Sequence, residues 1–182
     1  FGVIPSGPEV KNMKLDPVVL DENRYVSYVD KNVRFPGVFM TFPTIGRHHP
    51  DEAPLDCLMD ILGNGHNSFL FKKFVENKKA VQAVAGHPCS ELAGEFQIIV
   101  LPYPGASLAD IEKEIAQVLE EFEETGVTDE DVEKFKVTME SGFINGLASV
   151  SGKVTQLASY QTFLDNPNAI KGDLKRYQDI TK

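Results

Sequence analysis

Apolar residues recur along this chain in two rhythms, one suited to strands and one to helices. Residues 24–30, RYVSYVD, are rich in β-branched and aromatic side chains and read as a strand. VFMTF at 38–42 alternates, with Val38, Met40 and Phe42 on one face. Pro36 and Gly37 precede it and fit an edge position or a bulge. Two further strands are predicted, AVQAVAG at 80–86 and GEFQIIVLPY at 94–103, the latter with Phe96, Ile98 and Val100 on one face.

Between these pairs the spacing becomes helical. Leu55, Leu58, Met59 and Leu62 form a core-facing stripe. Pro50 suits the first helical turn, and Asp51 and Glu52 suit the positive end of the helix dipole. GNG at 63–65 stops this helix, and a second short one runs from near Ser68 through Phe69, Leu70, Phe74 and Val75.

After residue 103 the chain is helical. Ser107 is the predicted cap of a helix striped by Leu108, Ile111, Ile115, Val118, Leu119 and Phe122 and ended by Gly126. Thr128, with Asp131 three residues on, opens the next, striped by Val132, Phe135, Met139, Phe143 and Leu147. Gly142 and Gly146 lie inside it, and close packing is the expected reason. Val150, Val154, Leu157 and Ala158 continue the pattern to about Phe163. DNPN at 165–168 is a turn, and a short helix around Asp173–Gln178 closes the chain.

The predicted order is β β α α β β α α α. Strands adjacent in sequence are expected to pair antiparallel within each pair. The fold class is α+β, two-layered, a mainly antiparallel or mixed sheet covered by amphipathic helices. Residues 1–22, broken by Pro5, Pro8 and Pro17, read as a lead-in, and 23–182 as one domain.

Composition narrows the function. Among 182 residues, 42% are hydrophobic and 25% charged, ordinary for a globular protein, and the formal net charge is −9. That balance argues against a nucleic-acid partner, since phosphate binding relies on clustered cations. The densest basic cluster, Lys72, Lys73, Lys78 and Lys79, is interleaved with Glu76 and fits a solvated helix face. No apolar run reaches the roughly 18 residues of a membrane span. The first residue is Phe1 rather than Met, which fits a piece of a longer polypeptide. Cys57 and Cys89 make no disulfide framework; Cys57 falls in an apolar stripe and is expected buried and free.

RHHPDE at 47–52 concentrates the candidate metal chemistry. His48 and His49 are adjacent, so their side chains diverge on regular backbone, and neither makes the i, i+4 pair of HExxH or HxxEH. A polar helix start accounts for the stretch, and a stand-alone metalloprotein using His48, His49 and Glu52 ranks last. Cys89, two residues after His87, is a weak nucleophile candidate. The residues thus assign no catalytic residue and no metal ligand to this chain, and leave substrate-binding residues unknown.

The passage LMDILGNGHNSFLFKKFVENKKAVQAVAG resembles the second domain of the insulinase/pitrilysin family of zinc peptidases, with LGNG at 62–65, Ser68-Phe69-Leu70, and the strand from Ala80. PYPGASLADIEKEIAQVLEEFEETGVTDEDVEKFK resembles the family's passage of PG, helix, Gly-Val-Thr, helix, and FGVIPSG the tail of its preceding domain. The family's HxxEH motif lies in the first domain of each half and is absent here. The resemblance therefore implies a non-catalytic domain that packs against a catalytic domain of the same polypeptide and helps enclose a peptide substrate. Zinc is expected in that other domain and no cofactor in this chain. In active members an Arg and, seven residues later, a Tyr contact substrate; the matching positions here are Val75 and Gln82, which departs from that pattern. A domain of an inactive scaffold subunit is the alternative. FINGLASVSGK and YQTFLDNPN are most similar to long tandem bacterial members, which implies a periplasmic parent.

Overall fold

Strand propensity becomes structure only where a partner edge exists, and one strand supplies both edges here. In a computed structural model describing residues 2–5, 7, 8, 13 and 15–182, β3 (Gly94–Pro102) lies between β1 (Val38–Thr44) and β2 (Ala80–Gly86) in a three-stranded sheet. Both pairings are antiparallel: Val38 faces Val100 and Met40 faces Ile98 on one side, and Ala83 faces Val100 and Ala85 faces Ile98 on the other. The register of β2 shifts between Ala80 and Gln82.

The α+β expectation holds, and so does the antiparallel pairing of 80–86 with 94–103. The strand predicted at 24–30 does not form. Tyr25, Val26, Tyr28 and Val29 are 76–88% exposed, and β1 pairs with β3 instead. Residues 24–30 pair with neither outer edge of the sheet, and propensity alone does not hold an isolated strand in water. Of the lead-in at 1–22, residues 1, 6, 9–12 and 14 lie outside the described residues; the rest are exposed, without helix or strand.

Among the described residues there are five α-helices: α1 (Glu52–Gly63), α2 (Leu108–Thr125), α3 (Asp129–Gly146), α4 (Val150–Leu164) and α5 (Ile170–Gln178). The helix predicted from Ser68 forms as a single helical turn running into a π-helical segment, Phe71–Glu76. Ser107 accepts from the Asp110 N–H, and Thr128 and Asp131 make a reciprocal capping box, as their spacing predicts.

Three readings are corrected. Pro50 lies outside α1, which starts at Glu52 after Asp51. The helical pattern from Thr128 to Phe163 breaks after Gly146, because Ser149 caps a new helix through the Gly152 N–H. Close packing is absent at Gly142 and Gly146, around which a Cβ would meet nothing within 4 Å; it occurs at Gly152, where a Cβ would sit 1.9 Å from the Gly146 carbonyl oxygen.

Two apolar clusters result. The larger lies against the sheet, where Leu62, Leu70, Phe74, Ile98, Val100 and Ile115 are at most 3% exposed. The smaller joins Ala53 and Cys57 of α1 to Val132 and Phe135 of α3 and to Tyr177 and Ile180. α1 therefore contributes to both. Its last residue, Gly63, meets β2 so closely that a Cβ would sit 2.0 Å from the Ala85 nitrogen.

Candidate functional site

The 47–52 stretch links β1 to α1 and turns sharply, with His48 in the left-handed region at φ 65°. That turn brings the His48 N–H within 2.6 Å of Glu52 Oε2. The same oxygen accepts from the Arg176 guanidinium at 2.6 Å, and Arg176 Nε donates to Asp173 Oδ1 at 2.6 Å. Tyr160 of α4 donates its hydroxyl to Asp173 Oδ2 at 2.7 Å. Glu52 is 7% exposed, so this charge is buried, and Arg176 neutralises it.

One turn along α1, Asp56 makes a second set of contacts. Its Oδ2 accepts from Tyr177 at 2.8 Å, and its Oδ1 lies 2.7 Å from His87 Nδ1. The His87 side chain is fully buried, and its Nε2 lies 3.2 Å from Thr44 Oγ1 and 3.4 Å from Cys89 Sγ. Glu52 and Asp56 stand at i, i+4 on α1, and Asp173, Arg176 and Tyr177 at i, i+3, i+4 on α5, so one face of each helix carries the network.

The network does not fit a zinc ion. Glu52 is committed to Arg176 and to the His48 backbone. His48 Nδ1 is 3.9 Å from Asp173, its Nε2 has no partner among the described residues, and the half-exposed His49 side chain accepts from the Asp51 N–H. Among the described residues no three side chains of His, Cys, Asp or Glu are grouped as a metal ion requires.

Cys89, His87 and Asp56 stand in the order nucleophile, base, orienting carboxylate. Burial argues against that use: the His87 side chain is fully enclosed, and Cys89 Sγ donates to the Ile45 carbonyl oxygen at 3.5 Å. Burial and the charges of Glu52 and Asp56 push the Cys89 thiol up to about 11, which favours the thiol over the thiolate. Burial and Asp60 likewise push Cys57 up to about 11; both cysteines are free. Burial and Asp56 raise the Tyr177 phenol, and burial and the Asp173 bond raise that of Tyr160, so both remain donors. For Arg176, burial acts downward, but the bonds to Glu52 and Asp173 outweigh it and its pKa is raised.

Of the two positions matched to substrate contacts, Val75 packs against the sheet-side core and Gln82 is exposed on β2 at the register shift. In the basic cluster, Lys79 pairs with Glu114 of α2 at 2.7 Å and Lys73 reaches Gln117 at 3.5 Å. Sequence reasoning missed Asp56, Asp173, Arg176, Tyr177 and the role of His87. The i, i+4 and i, i+3, i+4 spacings were the available signal, but which helix faces which is not local information. No helix of the described residues is long and apolar enough to cross a membrane.

Residues 1–139 match the family model described as "Peptidase M16 inactive domain". The chain is 29% identical over 113 residues to a protein named zinc protease PqqE of Helicobacter pylori, across 62% of this chain and 26% of that protein. Among solved structures it is similar to a protease from Helicobacter pylori, at TM-score 0.72 and 23% identity, over 84% of this chain and 37% of that one. It is also similar to a peptidase M16 inactive domain from Pseudomonas fluorescens, at TM-score 0.65 and 20% identity, over 80% of this chain and 34% of that one. The chain thus spans about a quarter of the curated relative and about a third of each of these structures.

Proposed function

Because this chain belongs to the peptidase M16 inactive domain family of zinc proteases, we propose that it is the non-catalytic domain of a zinc peptidase. In this reading it packs against a catalytic domain of the same polypeptide and forms one wall of the chamber around a peptide substrate. Zinc and its HxxEH ligands belong to that other domain.

One observation carries the reading. The side chains that would have to serve a site of this chain's own, Glu52, Asp56 and His87, are bound to one another's neighbours as internal ties, while α4 leaves an apolar face uncovered. Val150, Val154 and Leu157 on α4 are 47–78% exposed, and Val137 and Ile144 on α3 are both 62% exposed. Exposed apolar side chains on these two helices fit a docking face between domains.

The test is to co-express this chain with the remaining polypeptide of its parent and follow amide hydrogen exchange and cleavage of an unfolded peptide. The expected result is slowed exchange in α4 and cleavage that needs both pieces. Equal cleavage by the other piece alone, with unchanged exchange in α4, would overturn the proposal. Association without cleavage by any combination would favour the scaffold alternative.

A further inference from the structure

The sequence holds two Asn-Gly dipeptides, Asn64-Gly65 and Asn145-Gly146, and the fold treats them differently. A glycine after asparagine leaves the carboxamide open to the following backbone nitrogen, since no side chain shields the approach. Ring closure between the two needs an N–H that is free to lose its proton and a backbone free to rotate.

Asn64 sits just beyond α1 in the exposed GNGHN loop. The Gly65 N–H makes no hydrogen bond among the described residues, and a Cβ at Gly65 would meet nothing within 4 Å. Asn145 is equally exposed, but it lies within α3, whose last residue is Gly146. There the backbone N–H is committed to the helix ladder. Gly146 is also held against Gly152 in the tight α3–α4 junction.

We propose that Asn64 is a site of spontaneous deamidation in the folded protein and that Asn145 is protected. The Gly65 nitrogen gives its proton to water and bonds to Cγ of Asn64. The Cγ–Nδ2 bond breaks, and the nitrogen takes up a proton and leaves as ammonia. Water then opens the succinimide at one of its two carbonyl carbons, giving aspartate or isoaspartate. Water is the sole co-reactant. Asn64 rests at ψ 128° with its carboxamide donating to Asp60 Oδ1 at 2.5 Å, so this contact has to open first.

The product alters the close joint between α1 and β2. An aspartate at 64 loses the bond to Asp60 and sets a second negative charge at the negative end of α1. An isoaspartate lengthens the backbone beside Gly63, where α1 touches β2 most closely. Ageing at Asn64 is therefore expected to loosen α1 from the sheet.

The experiment uses the whole chain, incubated in mildly alkaline buffer and peptide-mapped with enzymatic labelling of isoaspartate. Conversion at Asn64 is expected to exceed that at Asn145 by about tenfold in the folded protein, and the ratio to fall towards unity in urea, where neither amide is held. Equal rates in the folded chain, no conversion at Asn64, or a ratio that persists in urea would each overturn the proposal.

Discussion

The sheet-side core and the helical side of this molecule are built by different rules. Against the sheet, α1, α2 and the π-helical segment close an apolar cluster in which Phe74, Ile98, Val100 and Ile115 are fully buried. On the other side, α3 and α5 share a small apolar cluster with α1, and the remaining joints are polar: Glu52 with Arg176, Asp56 with Tyr177 and His87, Asp173 with Tyr160. The first region gains most from apolar area removed from water. The second gains orientation, because each hydrogen bond ties a particular residue of one element to a particular residue of another segment. An apolar side on α4 stays uncovered there.

This contrast can be broken by substitution. Phe74→Ala, at a fully buried site, is expected to cost about 3–5 kcal/mol in urea denaturation, whereas Val154→Ser on α4, 60% exposed, should shift stability by less than about 0.5 kcal/mol. Comparable losses would mean that α4 is packed in solution. Arg176→Ala leaves Glu52 buried without its cation and should cost about 2–3 kcal/mol, somewhat under the fully buried case because Arg176 is 22% exposed. Adding Glu52→Gln should restore part of that loss. If the double variant is no better than the single one, the charge of Glu52 is not what Arg176 holds.

Smaller effects sharpen the picture. Gly142→Ala, in an open helical position, should stabilise by up to about 1 kcal/mol; a loss instead would reveal packing on that face. A further effect appears only in alkali. Cys57 and Cys89 rise from 9.0 unfolded to about 11 folded, so the unfolded chain releases their protons first. Stability should fall as pH rises through that window. Replacing both cysteines with alanine should flatten this part of a pH series of urea midpoints.

Much of the fold was legible because its determinants are local. Ser107, Thr128 and Asp131 cap the helices their spacing announces, and the 80–86 and 94–103 runs pair across a short loop. Residues 24–30 misled because strand propensity says nothing about whether a segment docks on a partner strand. The break at Gly146 was hidden because Val150, Val154 and Leu157 keep a helical rhythm although they stay largely exposed here. The candidate site was the least legible part. RHHPDE drew attention to its histidines, yet the contacts that matter run to Asp173, Arg176 and Tyr177, far along the chain. Burial of a carboxylate such as Glu52 becomes explicable only once its cation is in place.

The central position of β3 sets an order of assembly. β2 can zip onto β3 across the few residues between Gly86 and Gly94, a small loop-closure cost, whereas β1 gains its ladder only when Val38 reaches Val100. During synthesis β1 emerges first and has nothing to pair with until both later strands have left the ribosome. A nascent chain stalled before Gly94 would therefore carry Phe39 and Phe42 on an unmated strand, the form in which this domain is most exposed to chaperones and to aggregation.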